Sequence, residues 1–169
     1  SGSISNFNTS ALRARHLEMV NALSKVKKMN LDLKVFFRFR DLDQIKSSPM
    51  LGRIYDLIDN KNFILVSNEC TTQDLMAFND LVITPQASFG INEAILTNAK
   101  VFTFDYIGTG ILHYPDYGED FVMTKSHQVI KAFKGLEGGF EDFNCQWDKL
   151  AKDTNYHTDG LICERYRQL

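Results

Sequence analysis

Residues 84–93 combine a serine, a glycine and a glutamate in an order that could bind phosphate and sugar hydroxyls. Ser88 and Gly90 fall where a predicted helix begins, and the free N–H groups and dipole of a helix N-terminus attract anions. Glu93 falls within the first turn or so, where its carboxylate could accept hydrogen bonds from vicinal ribose hydroxyls. The same pattern also fits a plain N-cap at Ser88 and a dipole-compensating acid at Glu93, so both interpretations stay open.

Two further segments place polar side chains at the ends of predicted strands. Arg38 and Arg40 close one strand, and a planar guanidinium is well suited to neutralising phosphate charge. Asp105 closes another strand, and the loop after it contains His113, a candidate for phosphate or acceptor contact or an ordinary surface histidine. Ligands of open parallel sheets bind beyond the carboxyl ends of the strands. We therefore expect these segments to converge with residues 84–93 at one edge of a sheet.

Strands and helices alternate along the chain. Short apolar runs predict strands at residues 33–40, 62–66, 80–84, 100–105 and, briefly, 121–123. Helical spacing predicts helices at residues 8–29, 49–59, 90–97 and 126–134, and a short one opening at residue 71 with a capping-box pattern. Residues 135–143 have the composition of a linker, and the tail from about residue 141 predicts one or two helices packed back on the sheet. This alternation predicts an α/β fold with right-handed crossovers and a parallel sheet carrying helices on both faces.

Length and composition favour one ordinary domain. The chain has 169 residues, of which 44% are hydrophobic and 24% charged, so a sizeable core is expected. We interpret residues 1–3 as the remnant of a cloning tag and residues 4–169 as the domain. Because no initiator methionine follows, we expect a piece of a longer protein. A formal net charge of −2 gives no reason to predict nucleic acid as a partner.

Several kinds of chemistry are disfavoured by the motifs that the sequence lacks. The three cysteines are far apart and form no C-x-x-C pair, which argues against zinc and a disulfide framework and favours a cytoplasmic protein with reduced thiols. There is no G-x-S-x-G nucleophile elbow, no phosphate loop ending in G-K-[ST] and no G-x-G-x-x-G. We predict neither a metal ion nor a bound cofactor.

Four short motifs stand out along the chain. The first three are D-L-V-I-T from Asp80, S-x4-E-A from Ser88, and N-A-K-V-F-T-F-D from Asn98, and the fourth is the closing D-G-L-I-C-E-R from Asp159. Together they resemble the C-terminal, donor-binding half of glycosyltransferases of the GT-B type, especially bacterial capsule and teichoic-acid enzymes, including the glycerophosphotransferase-like group. The fourth motif is similar to the D-G-x-A-x-x-R close of such chains. The resemblance covers roughly residues 30–169 and implies a Rossmann-like parallel sheet forming one half of a GT-B fold.

The resemblance implies a nucleotide-sugar or nucleotide-alditol donor as substrate. In that interpretation Glu93 holds the ribose, and Arg38 or Arg40 neutralises phosphate charge. The residues that it implies for donor binding are Arg38, Arg40, Ser88, Phe89, Gly90, Glu93, Asp105 and His113. The acceptor would bind to a missing N-terminal half, which would also supply the catalytic base. We accordingly expect this chain alone to be inactive, and the full protein to work in the cytoplasm, near the inner face of the membrane.

Two alternatives remain open from the sequence. One is a half of a UDP-sugar 2-epimerase-like enzyme, which would use the same ribose-binding glutamate but needs further carboxylates from its other half. The other is a non-catalytic α/β module that binds a protein partner. In that case Glu93 would matter slightly for stability and not at all for ligand binding.

Overall fold

Each of the five apolar runs that predict strands contains a strand in the structure, and four of these strands are shorter than predicted. The structure is a computed structural model that describes residues 9–29, 32–39, 42–48, 52–66, 69–85, 90–95, 97, 99–106 and 115–154. Its helices are α1 (Thr9–Lys28), α2 (Leu42–Ser47), α3 (Gly52–Tyr55), α4 (Thr72–Ala77), α5 (Gly90–Ala94), α6 (Ser126–Gly138) and α7 (Trp147–Thr154), with a 3-10 turn at Pro115–Tyr117. Its strands are β1 (Val35–Phe37), β2 (Phe63–Leu65), β3 (Leu81–Pro85), β4 (Lys100–Phe104) and β5 (Val122–Met123).

All strand pairs in the described residues are parallel, which confirms the α/β class, but the strands form two small sheets and not the single sheet predicted. β1 pairs with β2, and β4 lies between β3 and β5. The predicted strand at residues 33–40 is reduced to three residues, because its side chains alternate between exposed and buried and Phe36 is 42% exposed. A strand with one solvent-exposed face and charged neighbours buries less apolar surface than the apolar run at residues 33–40 predicted.

Helices cover both faces of the three-stranded sheet. Successive side chains of β4 point to opposite faces, and residues 101–104 are all fully buried. On one face Phe102 and Phe104 pack with α1 and α6, in a core that also contains Phe37 and Phe63 of the other sheet. On the other face Val101 packs with buried residues of α4, α5 and α7. Both sheets therefore share one core beneath α1 and α6.

The long helix α1 confirms the prediction from its spacing. Its buried residues are His16, Met19, Ala22, Leu23 and Val26, which recur every three or four positions along one face. This face packs against α6. Within the described residues, no helix has both the length and the apolar character needed to cross a membrane.

The prediction of a linker at residues 135–143 is wrong for its first four residues, because α6 continues to Gly138. Gly135 is a helical residue that lets an aromatic ring approach closely, since a Cβ atom there would lie 2.6 Å from Cδ1 of Phe140. The helix ends at Gly139, which has a φ of 71° and donates its N–H to the Gly135 carbonyl. The glycines that resembled a linker thus serve packing and helix termination.

Other helix predictions differ at their ends. In the described part of residues 49–59, the expected helix is α3 and ends at Tyr55; α2 was not predicted. The helix expected at residues 90–97 ends at Ala94. In the tail, α7 packs on the sheet through Leu150, which is fully buried, and Trp147, whose Nε1 donates to the Val101 carbonyl at 2.9 Å. Residues 155–169, with the closing motif, lie outside the described part.

Gly118 and Gly138 allow a matched test of local geometry. Gly118 has a φ of 109°, and a Cβ atom there would lie 1.8 Å from the Asn144 carbonyl oxygen. We expect Gly118→Ala to lower the free energy of unfolding by about 1–3 kcal/mol. Gly138 has open space around it, so Gly138→Ala should raise that free energy by about 0.4–1 kcal/mol. Urea unfolding of both variants checks the pair, and equal effects would contradict the close approach of the Asn144 carbonyl to Gly118.

A carboxylate after α3 holds the turn that leads into β2. Oδ1 of Asp59 accepts the backbone N–H groups of Lys61, Asn62 and Phe63 at 3.0, 3.0 and 2.9 Å. Its Oδ2 lies 3.1 Å from Nζ of Lys27 on α1. The Phe63 N–H, followed by the Lys61 N–H and the Lys27 ammonium, holds the pKa of Asp59 well below its ordinary value of 3.8.

The lowered pKa of Asp59 predicts a pH-dependent contribution to stability. A carboxyl whose pKa is depressed by folding stabilises the protein above the unfolded-state pKa, and this stabilisation is lost as the pH falls towards the folded-state value. We expect Asp59→Ala to lower the urea midpoint at about pH 7, and to differ less from the parent at about pH 2.5. An equal loss at both pH values would show that the charge of Asp59 is not involved.

Candidate functional site

The start of α4 is rigidly capped. The Thr71 Oγ1 accepts the Asp74 N–H at 3.1 Å, and Oδ2 of Asp74 accepts the Thr71 N–H at 3.2 Å. The two bonds form the reciprocal capping box that the sequence predicted.

Arg38 is attached to this capped turn. It directly follows β1, its side chain is exposed, and its Nε donates to the Cys70 carbonyl at 3.2 Å. Cys70 lies five residues after the end of β2, immediately before the Thr71 cap. The carboxyl ends of β1 and β2 are therefore linked through an arginine side chain. Arg40, the other arginine predicted for this strand end, lies outside the described residues.

Glu93 is attached to the same turn from the other side. It lies in α5, after β3, and its Oε1 accepts a hydrogen bond from Nε2 of Gln73 at 2.8 Å. The Glu93 side chain is half-buried, whereas Gln73 is exposed. Gly90 is the first residue of α5, as predicted. Ser88 and Phe89 lie outside the described residues, so their predicted contacts with phosphate stay predictions.

Asp105 lies at the end of β4, in the neighbouring part of the edge. Its N–H donates to the Met123 carbonyl at 2.9 Å, and the residue is only 5% exposed. The adjoining strand ends are joined by Thr84 and Thr103, whose hydroxyls donate to the Phe102 and Thr84 carbonyls at 3.5 and 3.4 Å. Asp105 is thus part of a closely bonded strand end, with little surface left for a ligand. His113 lies outside the described residues.

The N-terminus of α6, which follows β5, is occupied by a side chain of α1. Oε2 of Glu18 accepts the Ser126 N–H at 2.8 Å, and the Lys125 Nζ lies 3.7 Å from its Oε1. The Ser126 N–H is the main cause of the lowered pKa of Glu18. Arg15 donates to the Thr124 carbonyl at 2.7 Å beside it. Because a carboxylate already compensates this helix N-terminus, we do not place a substrate phosphate there.

We use the name α4 rim for Arg38, Cys70, Gln73 and Glu93. Two side-chain hydrogen bonds connect these residues through the first turn of α4, and they come from segments that follow β1, β2 and β3. An exposed guanidinium can bind phosphate oxygens, and a carboxylate can accept hydrogen bonds from hydroxyls. Among the residues that the structure describes, no group of three or more histidine, cysteine or carboxylate side chains could hold a metal ion.

A separate open cleft of about 540 Å³ lies near the amino end of β4. Lys100, Trp147, Lys149 and Lys152 line it together with two aspartates, so its charge is mixed. Lys100 holds its ammonium 4.7 Å from the centre of the Trp147 ring. Burial raises the pKa of Cys145 in this cleft to about 12, which leaves the thiol protonated and a poor nucleophile at neutral pH. The cleft offers no catalytic constellation and lies at the opposite strand end from the α4 rim.

Comparison of the chain with protein-family models, with curated proteins and with solved structures found no match.

Two residues of this edge were missed by the reasoning from sequence. Gln73 appeared only as an interior position of a capping box, and its partner Glu93 is 20 residues away. Glu18 is the single acidic residue of the otherwise basic helix α1, and its partner Ser126 is 108 residues away. The isolation of Glu18 among basic residues was a weak signal of a tertiary partner, whereas no local pattern distinguishes Gln73.

Proposed function

We propose that the α4 rim binds the nucleotide part of a nucleotide-sugar or nucleotide-alditol donor, and that the chain is the donor-binding half of a GT-B-type transferase of bacterial surface polysaccharide synthesis. The observation that carries this proposal is the Gln73–Glu93 hydrogen bond. It holds a half-buried carboxylate at the carboxyl edge of a parallel sheet. Ligands of such sheets bind at this edge, and Glu93 is the residue that the motif resemblance assigns to the ribose.

Arg38 supplies the complementary charge. Its Nε is engaged by the Cys70 carbonyl, and its terminal nitrogens make no hydrogen bond within the described residues. A guanidinium oriented in this way can present its terminal N–H groups to a diphosphate in a bidentate arrangement. A nucleotide diphosphate carries both matching groups, vicinal hydroxyls for Glu93 and phosphate oxygens for Arg38.

The proposed transfer would occur between this domain and a second half that carries the acceptor and the catalytic base. In this domain the contribution would be positioning of the donor and stabilisation by positive charge of the departing nucleotide, which is a diphosphate from a nucleotide-sugar and a monophosphate from a nucleotide-alditol that transfers its alditol phosphate. Glu93 would position the donor, and Arg38 would supply the positive charge. We therefore expect the chain alone to bind a donor weakly and to catalyse no transfer.

Thermal shift assays and isothermal titration with UDP, CDP and GDP, and with UDP-glucose and CDP-glycerol, test this proposal. We expect at least one nucleotide diphosphate to raise the melting temperature at millimolar concentration, and its free nucleoside to do so far less because it lacks the phosphates. No shift with any of these ligands would overturn the proposal and would favour a partner-binding module. Binding of UDP-sugars together with epimerisation by the full-length protein would favour the 2-epimerase alternative.

A further inference from the structure

Gln73 lies where it can control the orientation of Glu93. Its Nε2 donates to Oε1 of Glu93 at 2.8 Å, a bond to a charged acceptor and therefore stronger than one between neutral groups. Gln73 is the second residue of α4 and lies between Thr71 and Asp74, the two residues of the capping box. The donor amide is thus attached to a helix start that is fixed on its own, independently of α5.

The bond leaves a defined part of the carboxylate for a ligand. A carboxylate has two oxygens with about four acceptor positions, and Gln73 uses one of them. Within the described residues, Glu93 makes no other hydrogen bond or ion pair, so in this part of the chain Oε2 has no second partner. Because α5 has only five residues, packing within its own helix gives little support to the Glu93 side chain. Among the described residues, the amide of Gln73 is the contact that orients this carboxylate.

We propose that Gln73 is a positioning residue for ribose recognition: it holds Glu93 so that the carboxylate accepts a hydrogen bond from a ribose hydroxyl. This inference rests on the proposed function. In this proposal Gln73 affects how strongly the site discriminates between ribose and deoxyribose, but it does not touch the ligand. A carboxylate that is already oriented binds a ligand hydroxyl more tightly than a carboxylate that must first be ordered.

The test compares affinities for UDP, CDP and GDP with those for their 2′-deoxy counterparts, measured by isothermal titration. For the parent chain we expect about tenfold weaker binding of the deoxy ligand, the size of one lost hydrogen bond to a charged acceptor. Gln73→Met keeps the length of the side chain and removes the donor, so the ratio should fall to about threefold or less. Gln73→Glu places a second carboxylate against Glu93 and should reduce the ratio at least as far.

Gln146→Met is the matched control. Gln146 is also exposed, lines the cleft near Trp147, and its side chain makes no hydrogen bond within the described residues. We expect this variant to keep the parent ratio. Affinity for the deoxy ligands should stay within about twofold in the two uncharged variants, Gln73→Met and Gln146→Met, because neither residue touches the ligand.

The possible outcomes separate the two proposals. If the parent binds nucleotides and discriminates, but Gln73→Met keeps the full ratio, Gln73 has no positioning role and the proposed function stands. If Gln73→Met weakens both ligands equally and lowers the urea midpoint, its role is structural and the inference is wrong. If the parent binds no nucleotide, the proposed function fails and this inference fails with it.

Discussion

Replacing Glu93 by alanine should weaken binding of a nucleotide diphosphate by about 10-fold to 100-fold, because a hydrogen bond to a charged group contributes roughly 1.5–3 kcal/mol. The carboxylate is the group that we propose to accept the ribose hydroxyls, and alanine leaves no acceptor in its place. The variant should remain folded, since the Gln73–Glu93 bond joins an exposed side chain to a half-buried one. Isothermal titration measures the affinity, and a urea curve confirms the fold.

Glu137→Ala is the control for this prediction. Glu137 lies on α6, is exposed, and its side chain makes no ion pair or hydrogen bond within the described residues. The Glu137→Ala variant removes one negative charge, as Glu93→Ala does, but leaves the α4 rim unchanged. It therefore measures how far net charge alone changes the affinity for an anionic ligand. If both variants change the affinity equally, Glu93 makes no specific contact and the ribose assignment is wrong.

Replacing Phe102 by alanine should lower the free energy of unfolding by about 3–5 kcal/mol. Phe102 is fully buried in the central strand β4, and its ring centre lies 5.2 Å from that of Phe143, 5.6 Å from that of Trp147 and 6.1 Å from that of Phe140. Truncation would leave a cavity that this rigid aromatic cluster cannot close. Urea unfolding, followed by tryptophan fluorescence, measures the loss.

Phe78→Ala is the matched control for the core. Phe78 follows α4 and is 87% exposed, so its removal should change the free energy of unfolding by no more than about 0.5 kcal/mol. A large difference between the two variants is the expected result. Similar values would mean that β4 is not the centre of the core, and the two-faced arrangement of helices around it would be wrong.

The parts of the fold that could be predicted are those whose burial is visible in local pattern. In β4 an almost unbroken apolar run is buried on both faces, as a central parallel strand requires. In α1 buried residues recur every three or four positions. In α4 the reciprocal cap is entirely local, so the sequence of residues 71–74 sufficed to predict it.

The parts that could not be predicted depend on contacts between distant segments. The division into two sheets follows from the short, half-exposed β1, whose apolar residues looked like a buried strand. The extension of α6 depends on Gly135 lying against the Phe140 ring, which gives glycine a packing role that composition cannot reveal. The hydrogen bond between Gln73 and Glu93 joins α4 and α5, the helices that precede and follow β3 in the sequence. No pattern in the residues around either side chain predicts this contact.

The structure also narrows the location of the proposed site along the sheet edge. Asp105 is buried, and Glu18 already occupies the N-terminus of α6. The α4 rim, in contrast, combines an exposed guanidinium with a half-buried carboxylate. We therefore expect nucleotide binding around α4 and away from α6, and also away from the lysine-containing cleft at the amino end of β4.

The most direct test of nucleotide binding at the α4 rim is an NMR titration of the isotopically labelled chain with the nucleotide diphosphate that gives the largest thermal shift. We predict that the backbone amide signals of residues 69–74 and 90–93 move with a common saturation curve, while those at the start of α6 and around Trp147 stay in place. Saturable changes centred on Lys100, Trp147 and Lys152, or no saturable change at any residue of the α4 rim, would contradict the proposal.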